Sequence, residues 1–320
     1  MKRASLNSSR RGAVLIFILY ATLFLSVMIV YIVRYASDEI RMRAPNIYYS
    51  DLRHDAYNVL YAAFSELKEY KETDGGYYSY GQGWATLAAD GRAMLPKGLN
   101  VKVAVTDENA KLPLSKLTAE QLAALLYEMG LPEANLQEIS NTIVDWMDTD
   151  DAVLPSGAEK EDYDPESALP PNRIMRSLNE LKHVKEASHY FFDESGRPND
   201  YYKMFASAVS PYSDTVNLNN ASELVLRALF KMDEIDFDEN LPRALRGETG
   251  GVSDGIYWVK NVAEIGNRGA SVPLKYAGAQ SKILRLDVEA SRGLGAFRLT
   301  AYCDVSDSLK VVQIIEGGKD

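Results

Sequence analysis

The most marked hydrophobic pattern in the chain is an uninterrupted apolar run near its N-terminus. From Ala13 to Val33 there are 21 residues without a charge, which is long enough for a helix to cross a bilayer. A basic head without an acid precedes this run and is formed by Lys2, Arg3, Arg10 and Arg11. The positive-inside bias predicts that the head stays in the cytoplasm and that the rest of the chain is exported.

Three interpretations of the apolar run are open. A cleaved secretory signal would have an apolar core of only about 7–15 residues followed by a small-residue cleavage site, and the segment after Val33 offers a poor one. A plain signal anchor requires nothing beyond the run itself. A processing site before the run, between Gly12 and Ala13, would leave the apolar helix on the mature protein.

Helical spacing continues beyond the run, from Arg34 to Lys71. One helix face is predicted to carry the apolar residues Ala56, Leu60, Ala63, Phe64 and Leu67. Pro45 predicts a kink or a break within this stretch, and Asp74 with the two glycines after it predicts the helix end. We expect the membrane helix and this helix to form one rod whose outer half packs on a domain.

Alternating apolar and polar residues predict strands on both sides of a long helical block. The first strand covers residues 99–105, and three more cover residues 284–289, 297–305 and 310–316, as an antiparallel meander with one buried face. Helix-opening pairs mark the block between them: Thr118 with Gln121, Ser177 with Glu180, and Asn220 with Glu223. A further helix face is predicted from Leu136 to Met147.

These patterns predict an α+β protein built around an inserted helical domain. Residues 34–111 and 280–320 are expected to form one domain from the first helix and an antiparallel sheet, and residues 112–279 an all-α domain inserted into it. The inserted domain is expected to be of the SAM or helix-hairpin-helix type. The turn at Asn217–Ala221 before a helix resembles helix-hairpin-helix modules, which present a Gly-rich hairpin to phosphate. An acidic segment follows this helix, so nucleic acid is not expected as a partner.

Composition narrows the chemistry. The net charge of −10 repels phosphate backbones and favours cations as counterparts. The lone Cys303 lies in a strand pattern, where a buried structural thiol is expected. The three histidines, His54, His183 and His189, do not form an HExxH or HxH motif, which gives little support for a zinc site.

The strongest chemical signal is an acidic segment with eight carboxylates between Asp145 and Asp164. Oxygen ligands without His or Cys favour a hard ion, and a flexible carboxylate-rich loop favours Ca²⁺ over Mg²⁺. Counted from Asp148, the spacing partly matches an EF-hand loop, but Ala152 and Val153 stand where an oxygen donor and a glycine are needed. A solvated acidic loop and a carboxylate-pair hydrolase are the alternatives from the residues alone.

The acidic segment resembles that of the K-type minor pseudopilins of type II secretion (general secretion pathway protein K). The resemblance rests on Asp145-Trp146-x-Asp148-x-Asp150, Gly157-Ala158-Glu159, Tyr163, Asn172, Glu180-Leu181, the run Val216–Ala221 and the strand ending Val105–Glu108. It implies a pilin-like fold, with an N-terminal transmembrane helix packed on an antiparallel sheet and a large inserted α-domain. It also implies a calcium site within the acidic segment.

Processing of the N-terminus and a set of calcium ligands are also implied by this resemblance. A prepilin peptidase would cut between Gly12 and Ala13 and methylate the new N-terminus. Mature position five would then be Phe17, where other pilins carry glutamate, which suits a subunit at the filament tip. The expected calcium ligands are Asp148, Asp150 and Glu159, with Asp162, Asp151 and Asp164 as weaker candidates. Asp145 and Asn172 are expected to brace the site.

The resemblance also implies where the protein works and with what. It would be anchored once in the inner membrane, with the bulk of the chain in the periplasm, and would join I- and J-type minor pseudopilins at the pseudopilus tip. The alternative is a membrane-anchored periplasmic hydrolase or calcium-binding protein. The sequence contains no P-loop, so we expect no enzymatic activity.

Overall fold

A single helix, α1 (Leu6–Asp74), contains both helical stretches predicted at the N-terminal end. Its apolar segment Val14–Tyr35 is long enough to span a membrane and is exposed along its length. The helix continues through Pro45, so the predicted break is absent. A proline removes one backbone hydrogen bond, whereas a helix of 69 residues keeps intact turns on both sides of it.

The computed structural model describes residues 6–86, 98–246, 258–293 and 295–317, with side chains from residue 14 to 35 and from residue 50 onward. Lys2 and Arg3 of the predicted leader lie outside the described residues, as do residues 247–257. The other helices are α2 (Ala119–Glu128), α3 (Glu133–Met147), α4 (Lys185–Phe191), α5 (Asp200–Ala208), α6 (Glu223–Met232), α7 (Leu241–Leu245) and α8 (Ala263–Asn267). The strands are β1 (Asn100–Asp107), β2 (Leu112–Pro113), β3 (Val209–Ser210), β4 (Val216–Asn217), β5 (Ala277–Gly278), β6 (Ile283–Arg292), β7 (Gly295–Asp304) and β8 (Lys310–Glu316).

The outer half of α1 packs on an antiparallel sheet whose strand order is β1-β6-β7-β8. The core between them contains, among others, Leu52, Ala56, Leu60, Leu67, Leu286, Leu299 and Cys303. Because side chains alternate across a strand, the residues that face α1 are the apolar ones of the predicted strand pattern. Arg53 and Tyr57 of α1 bind the carboxylate of Glu316 at the end of β8, with Nη2–Oε1 2.6 Å and Oη–Oε1 2.7 Å.

The helices α2–α8 lie between β1 and β6 in the chain and surround a second core. The N-terminus of α2 is capped as predicted, because Gln121 N donates to Thr118 Oγ1 and Thr118 N donates to Gln121 Oε1. The insertion is not purely helical, since β2 pairs with β3 and β4 with β5 in parallel. Such two-residue strands are too short to show an alternating pattern, so the sequence could not reveal them.

Two helix starts differ from the prediction. The cap of α6 is Ser222, whose Oγ accepts from Val225 N, and Asn220 has a different role described below. Ser177 opens a 3₁₀ helix, Leu178–His183, and the carboxylate of Glu180 accepts from Arg176 N rather than from the cap residue. Several Asn and Ser residues in succession can each cap a helix, and tertiary hydrogen bonds decide which one does.

A buried carboxylate joins the inserted domain to the sheet. Asp107, at the end of β1, is fully buried. Its Oδ2 accepts from Ser281 Oγ at 2.6 Å, Asn220 Nδ2 at 2.8 Å and Asn217 Nδ2 at 2.9 Å, and its Oδ1 accepts from Asn109 N at 2.9 Å. Burial raises the pKa of Asp107 to about 6, and these hydrogen bonds oppose the rise. We call this cluster the junction, because it ties both ends of the insertion to the sheet.

Candidate metal centre

The candidate site begins at the C-terminal end of α3. Ile139, Ile143 and Trp146 point into the core of the inserted domain and fix the orientation of the helix. Asp145 and Asp148 are three residues apart, so their side chains lie on neighbouring positions around the helix axis. The C-terminal end of a helix carries negative partial charge, which makes two carboxylates there unfavourable without a compensating cation.

Glu159 from the following loop completes a group of three carboxylates. One oxygen from each of Asp145, Asp148 and Glu159 lies within 4.8 Å of the other two. Asp145 and Glu159 are buried, with 0% and 3% of their surface exposed, and Asp148 is half-buried. We call this group the acidic triad. It is the one convergence of three or more His, Cys, Asp or Glu ligand atoms in the described part of the chain.

Backbone contacts hold the loop against Asp145. Its Oδ2 accepts from Ala158 N at 2.8 Å, and Leu154 N lies 3.3 Å from the same oxygen. Gly157 passes so close that a β-carbon at this position would overlap Asp145 Oδ2. Ser156, the residue before it, has a left-handed φ of 61°. The loop is therefore folded tightly around the carboxylate rather than solvated as a free acidic tract.

The triad contains buried oxygens without hydrogen-bond partners. These are Asp148 Oδ1 and both carboxylate oxygens of Glu159. Burial raises the pKa of Glu159 from an ordinary 4.5 to about 7, and repulsion by Asp148 and Asp145 adds to the rise. Burial and neighbouring carboxylates also raise the pKa of Asp148. Unpartnered buried carboxylate oxygens are costly, and a bound cation would satisfy them.

The other predicted ligands make contacts outside the triad. Asp150 is exposed and its Oδ1 accepts from Ala152 N at 2.9 Å. Asp151 is exposed and binds Lys160 Nζ at 3.2 Å. Asp162 Oδ2 accepts from Glu159 N at 3.1 Å. These three residues therefore make contacts within the loop that follows α3.

Asp164 and Asn172 complete the set of predicted residues. Asp164 is exposed, and its Oδ1 accepts from Glu166 N at 3.0 Å, which closes a turn away from the triad. Asn172 Nδ2 donates to the carbonyl oxygen of Asp150 at 2.7 Å and to Asp151 Oδ1 at 3.0 Å. Asn172 therefore braces the loop, and its own amide oxygen is buried without a partner.

Asp145 was predicted as a brace, and the structure places it inside the triad. The signal that could have shown this is the spacing of Asp145 and Asp148 at the end of α3, combined with Gly157, which permits the close approach of the loop. The oxygen-only donor set suits a hard cation of flexible geometry, and Ca²⁺ fits that description better than Zn²⁺ or Mg²⁺. Cys303 is buried in the other core, and burial raises the pKa of its thiol to about 12.

Residues 98–195, which include β1, α2, α3 and the whole acidic segment, match the family model described as type II secretion system (T2SS), protein K. This part of the chain is therefore similar to the type II secretion protein K family. The match confirms the family resemblance seen in the acidic segment. No curated protein matches the chain.

The fold of the described chain also resembles a solved structure. A chain in the crystal structure of the GspK-GspI-GspJ complex from the enterotoxigenic Escherichia coli type 2 secretion system superposes with a TM-score of 0.65. Sequence identity is 16%, and the match covers 87% of this chain and 100% of that one. At this identity the likeness concerns the fold, and it supports the predicted α+β architecture of helix, antiparallel sheet and helical insertion.

Proposed function

We propose that this protein is the K-type minor pseudopilin of a type II secretion system and acts at the tip of the periplasmic pseudopilus. The observation that carries the proposal is the combination of a protein K domain with an exposed apolar helix on the same rod. The apolar segment Val14–Tyr35 and the sheet-packed half of α1 belong to one continuous helix. Such a rod can hold the domain on a membrane and can later pack beside other subunits in a filament.

The anchor would lie in the inner membrane, with the sheet and the inserted domain in the periplasm. A prepilin peptidase would cleave between Gly12 and Ala13 and methylate the new N-terminus. Phe17 would then be the fifth mature residue, and its side chain is 72% exposed on the apolar segment. A subunit without a glutamate there has no carboxylate to pair with the N-terminus of a neighbour, which is consistent with a position at the tip.

The partners would be I- and J-type minor pseudopilins. The protein of similar fold was solved in a complex with GspI and GspJ, and this chain shares the architecture of that complex's matched chain. The exposed half of α1 offers the surface that such helices could share. Export of secreted proteins across the outer membrane would depend on the assembly.

We further propose that the acidic triad binds one Ca²⁺ ion. Asp145, Asp148 and Glu159 would supply carboxylate ligands, and water or nearby carbonyl oxygens would complete a shell of six to eight. The support is the set of buried carboxylate oxygens without partners. Calcium would neutralise three like charges and stabilise the loop that follows α3.

Gene deletion in the native host tests the proposed role. Deletion should leave type II substrates trapped in the periplasm, and the wild-type chain should restore their export. A matched chain lacking residues 14–35 should fail to restore it although its folded domains are intact. Normal export after deletion would contradict the proposal. Turnover of substrate by the purified protein, abolished by Asp148→Asn, would instead favour the hydrolase alternative.

A further inference from the structure

We propose that cation occupancy of the acidic triad controls how firmly the inserted domain docks on the outer face of the sheet, through residues 172–176 and Tyr212. The inference rests on the proposed calcium site and names the conformational consequence of filling it. The outer face is the one opposite α1, where Tyr302 of β7 and Gln313 of β8 are register partners.

The first step runs from the acidic loop to residue 172. Asn172 Nδ2 donates to the carbonyl oxygen of Asp150 and to the carboxylate of Asp151, at 2.7 and 3.0 Å. Asn172 has a left-handed φ of 47°, a conformation that asparagine adopts more readily than most residues. Any change in the backbone of the acidic loop at residues 150–151 therefore acts directly on the start of the segment 172–176.

A second contact joins the same segment to α3. Trp146 lies between Asp145 and Asp148 in the sequence. Its Nε1 donates to Glu180 Oε2 at 3.4 Å. The other oxygen of Glu180 accepts from Arg176 N at 2.7 Å and from Arg173 Nη1 at 3.2 Å. Glu180 thus fixes the position of residues 173–176 relative to the helix end that carries Asp145 and Asp148.

The segment then reaches the sheet through Tyr212. The carbonyl oxygen of Arg176 accepts a hydrogen bond from Tyr212 Oη at 2.9 Å. The same hydroxyl lies 2.5 Å from Gln313 Oε1, and the ring of Tyr212 stacks on Tyr302 with 4.1 Å between centroids. A single tyrosine therefore contacts the calcium-side segment and two adjacent strands of the sheet.

The contact between the inserted domain and the sheet leaves a cavity beside Tyr212. A cavity of about 90 Å³ is lined by residues of both sides, including Arg176, Tyr212, Arg285 and Tyr302. The junction at Asp107, in contrast, is buried and fully hydrogen-bonded. The junction and the Tyr212 contact thus hold the inserted domain at two places, and contacts of Asp214 with Lys282 and of Thr215 with Asn109 lie near them. A rotation about the junction would open the Tyr212 contact without unfolding either core.

Calcium would favour the docked state by fixing the acidic loop and with it Asn172 and the segment that ends at Arg176. Without calcium, repulsion within the triad loosens the loop, and Tyr212 loses its ordered partner at Arg176. The two sites are linked thermodynamically, so each must affect the other by the same factor. This reciprocity provides the test.

The experiment uses the full chain in detergent micelles. Hydrogen exchange is followed by mass spectrometry in CaCl₂ and in EDTA. Peptides that cover residues 209–213 and 310–316 should exchange at least about fivefold more slowly with calcium than without it. A factor of about five is at the lower end of the usual coupling between two sites. Peptides of α1 between residues 50 and 74, which pack on the opposite face, should not respond and serve as the internal control.

Calorimetry with CaCl₂ then measures the reciprocal effect in variants. Tyr212→Phe keeps the ring stack but removes the hydroxyl, and Gln313→Ala removes the contact from the sheet side. Both should weaken calcium binding about fivefold although neither residue touches the triad. Tyr201→Phe, on α5 and half-buried, is the matched control and should bind like the wild type.

The outcomes separate this inference from the proposed function. Calcium binding by the wild type with unchanged exchange at both peptides and unchanged affinity in Tyr212→Phe would overturn the coupling and leave the calcium site intact. Absence of calcium binding would overturn both the site and the coupling. Thermal melting of each variant in EDTA checks that the substitutions leave the two cores folded.

Discussion

Replacement of Glu159 by glutamine should stabilise the calcium-free protein. In the folded state the pKa of Glu159 is about 7 instead of 4.5, because burial and the carboxylates of Asp148 and Asp145 oppose its charge. Between pH 4.5 and 7 the folded protein therefore retains a proton that the unfolded chain has released. The contribution of Glu159 to the free energy of unfolding is fully present below pH 4.5 and is lost as the pH rises through 7.

The size of the effect follows from the two pKa values. A difference of about 2.5 pKa units corresponds to about 3 kcal/mol in the free energy of unfolding at pH 8. Glutamine has nearly the same shape as glutamate, carries no charge and can donate to the unpartnered Asp148 Oδ1. For a folding unit of this size, about 3 kcal/mol raises the melting temperature by roughly 6–12 °C.

The assay is thermal unfolding of the full chain in detergent, in EDTA and in CaCl₂, at pH 5 and pH 8. Glu159→Gln should melt higher than the wild type in EDTA at pH 8, should match it more closely at pH 5, and should gain nothing from calcium. Glu166→Gln, an exposed residue of the same loop, should behave like the wild type in all four conditions. A Glu159→Gln protein that melts lower than the wild type in EDTA at pH 8 would refute the reasoning.

The remaining predictions concern the triad, the loop and the junction. Asp148→Asn should abolish the calcium-dependent rise in melting temperature while Asp150→Asn reduces it only slightly; equal losses would place both side chains on the ion. Gly157→Ala should cost about 1–3 kcal/mol because its β-carbon overlaps a triad carboxylate, whereas Gly266→Ala, with open space around it, should be neutral in the same denaturant titration. Asp107→Ala should lower the free energy of unfolding by about 3–5 kcal/mol, because it leaves the buried donors of the junction unpaired; a loss below about 1 kcal/mol would contradict that role.

Local sequence patterns predicted the parts of the fold that local physics decides. The alternation in residues 284–289 and 297–305 predicted β6 and β7, and Thr118 with Gln121 predicted the start of α2. The apolar run predicted the exposed segment of α1. In each case the signal lies within a few residues of the element that it describes.

The parts that were missed depend on contacts between distant segments. Asn220 has the residue type of a helix cap, but its side-chain amide donates to the buried carboxylate of Asp107, 113 positions away in the chain. Asp145 enters the triad only because Gly157 lets the loop approach it. Spacing in a sequence cannot reveal which of several carboxylates a folded loop turns inward.

The most direct test of the central claim is the intact mass of the protein after expression together with a prepilin peptidase. The account predicts a mature chain that begins at Ala13 with an added N-methyl group and keeps the apolar segment Val14–Tyr35. An uncleaved leader in the presence of a peptidase that processes a known pseudopilin in the same cells would contradict it. The chain would then be a plain membrane anchor that carries a protein K domain.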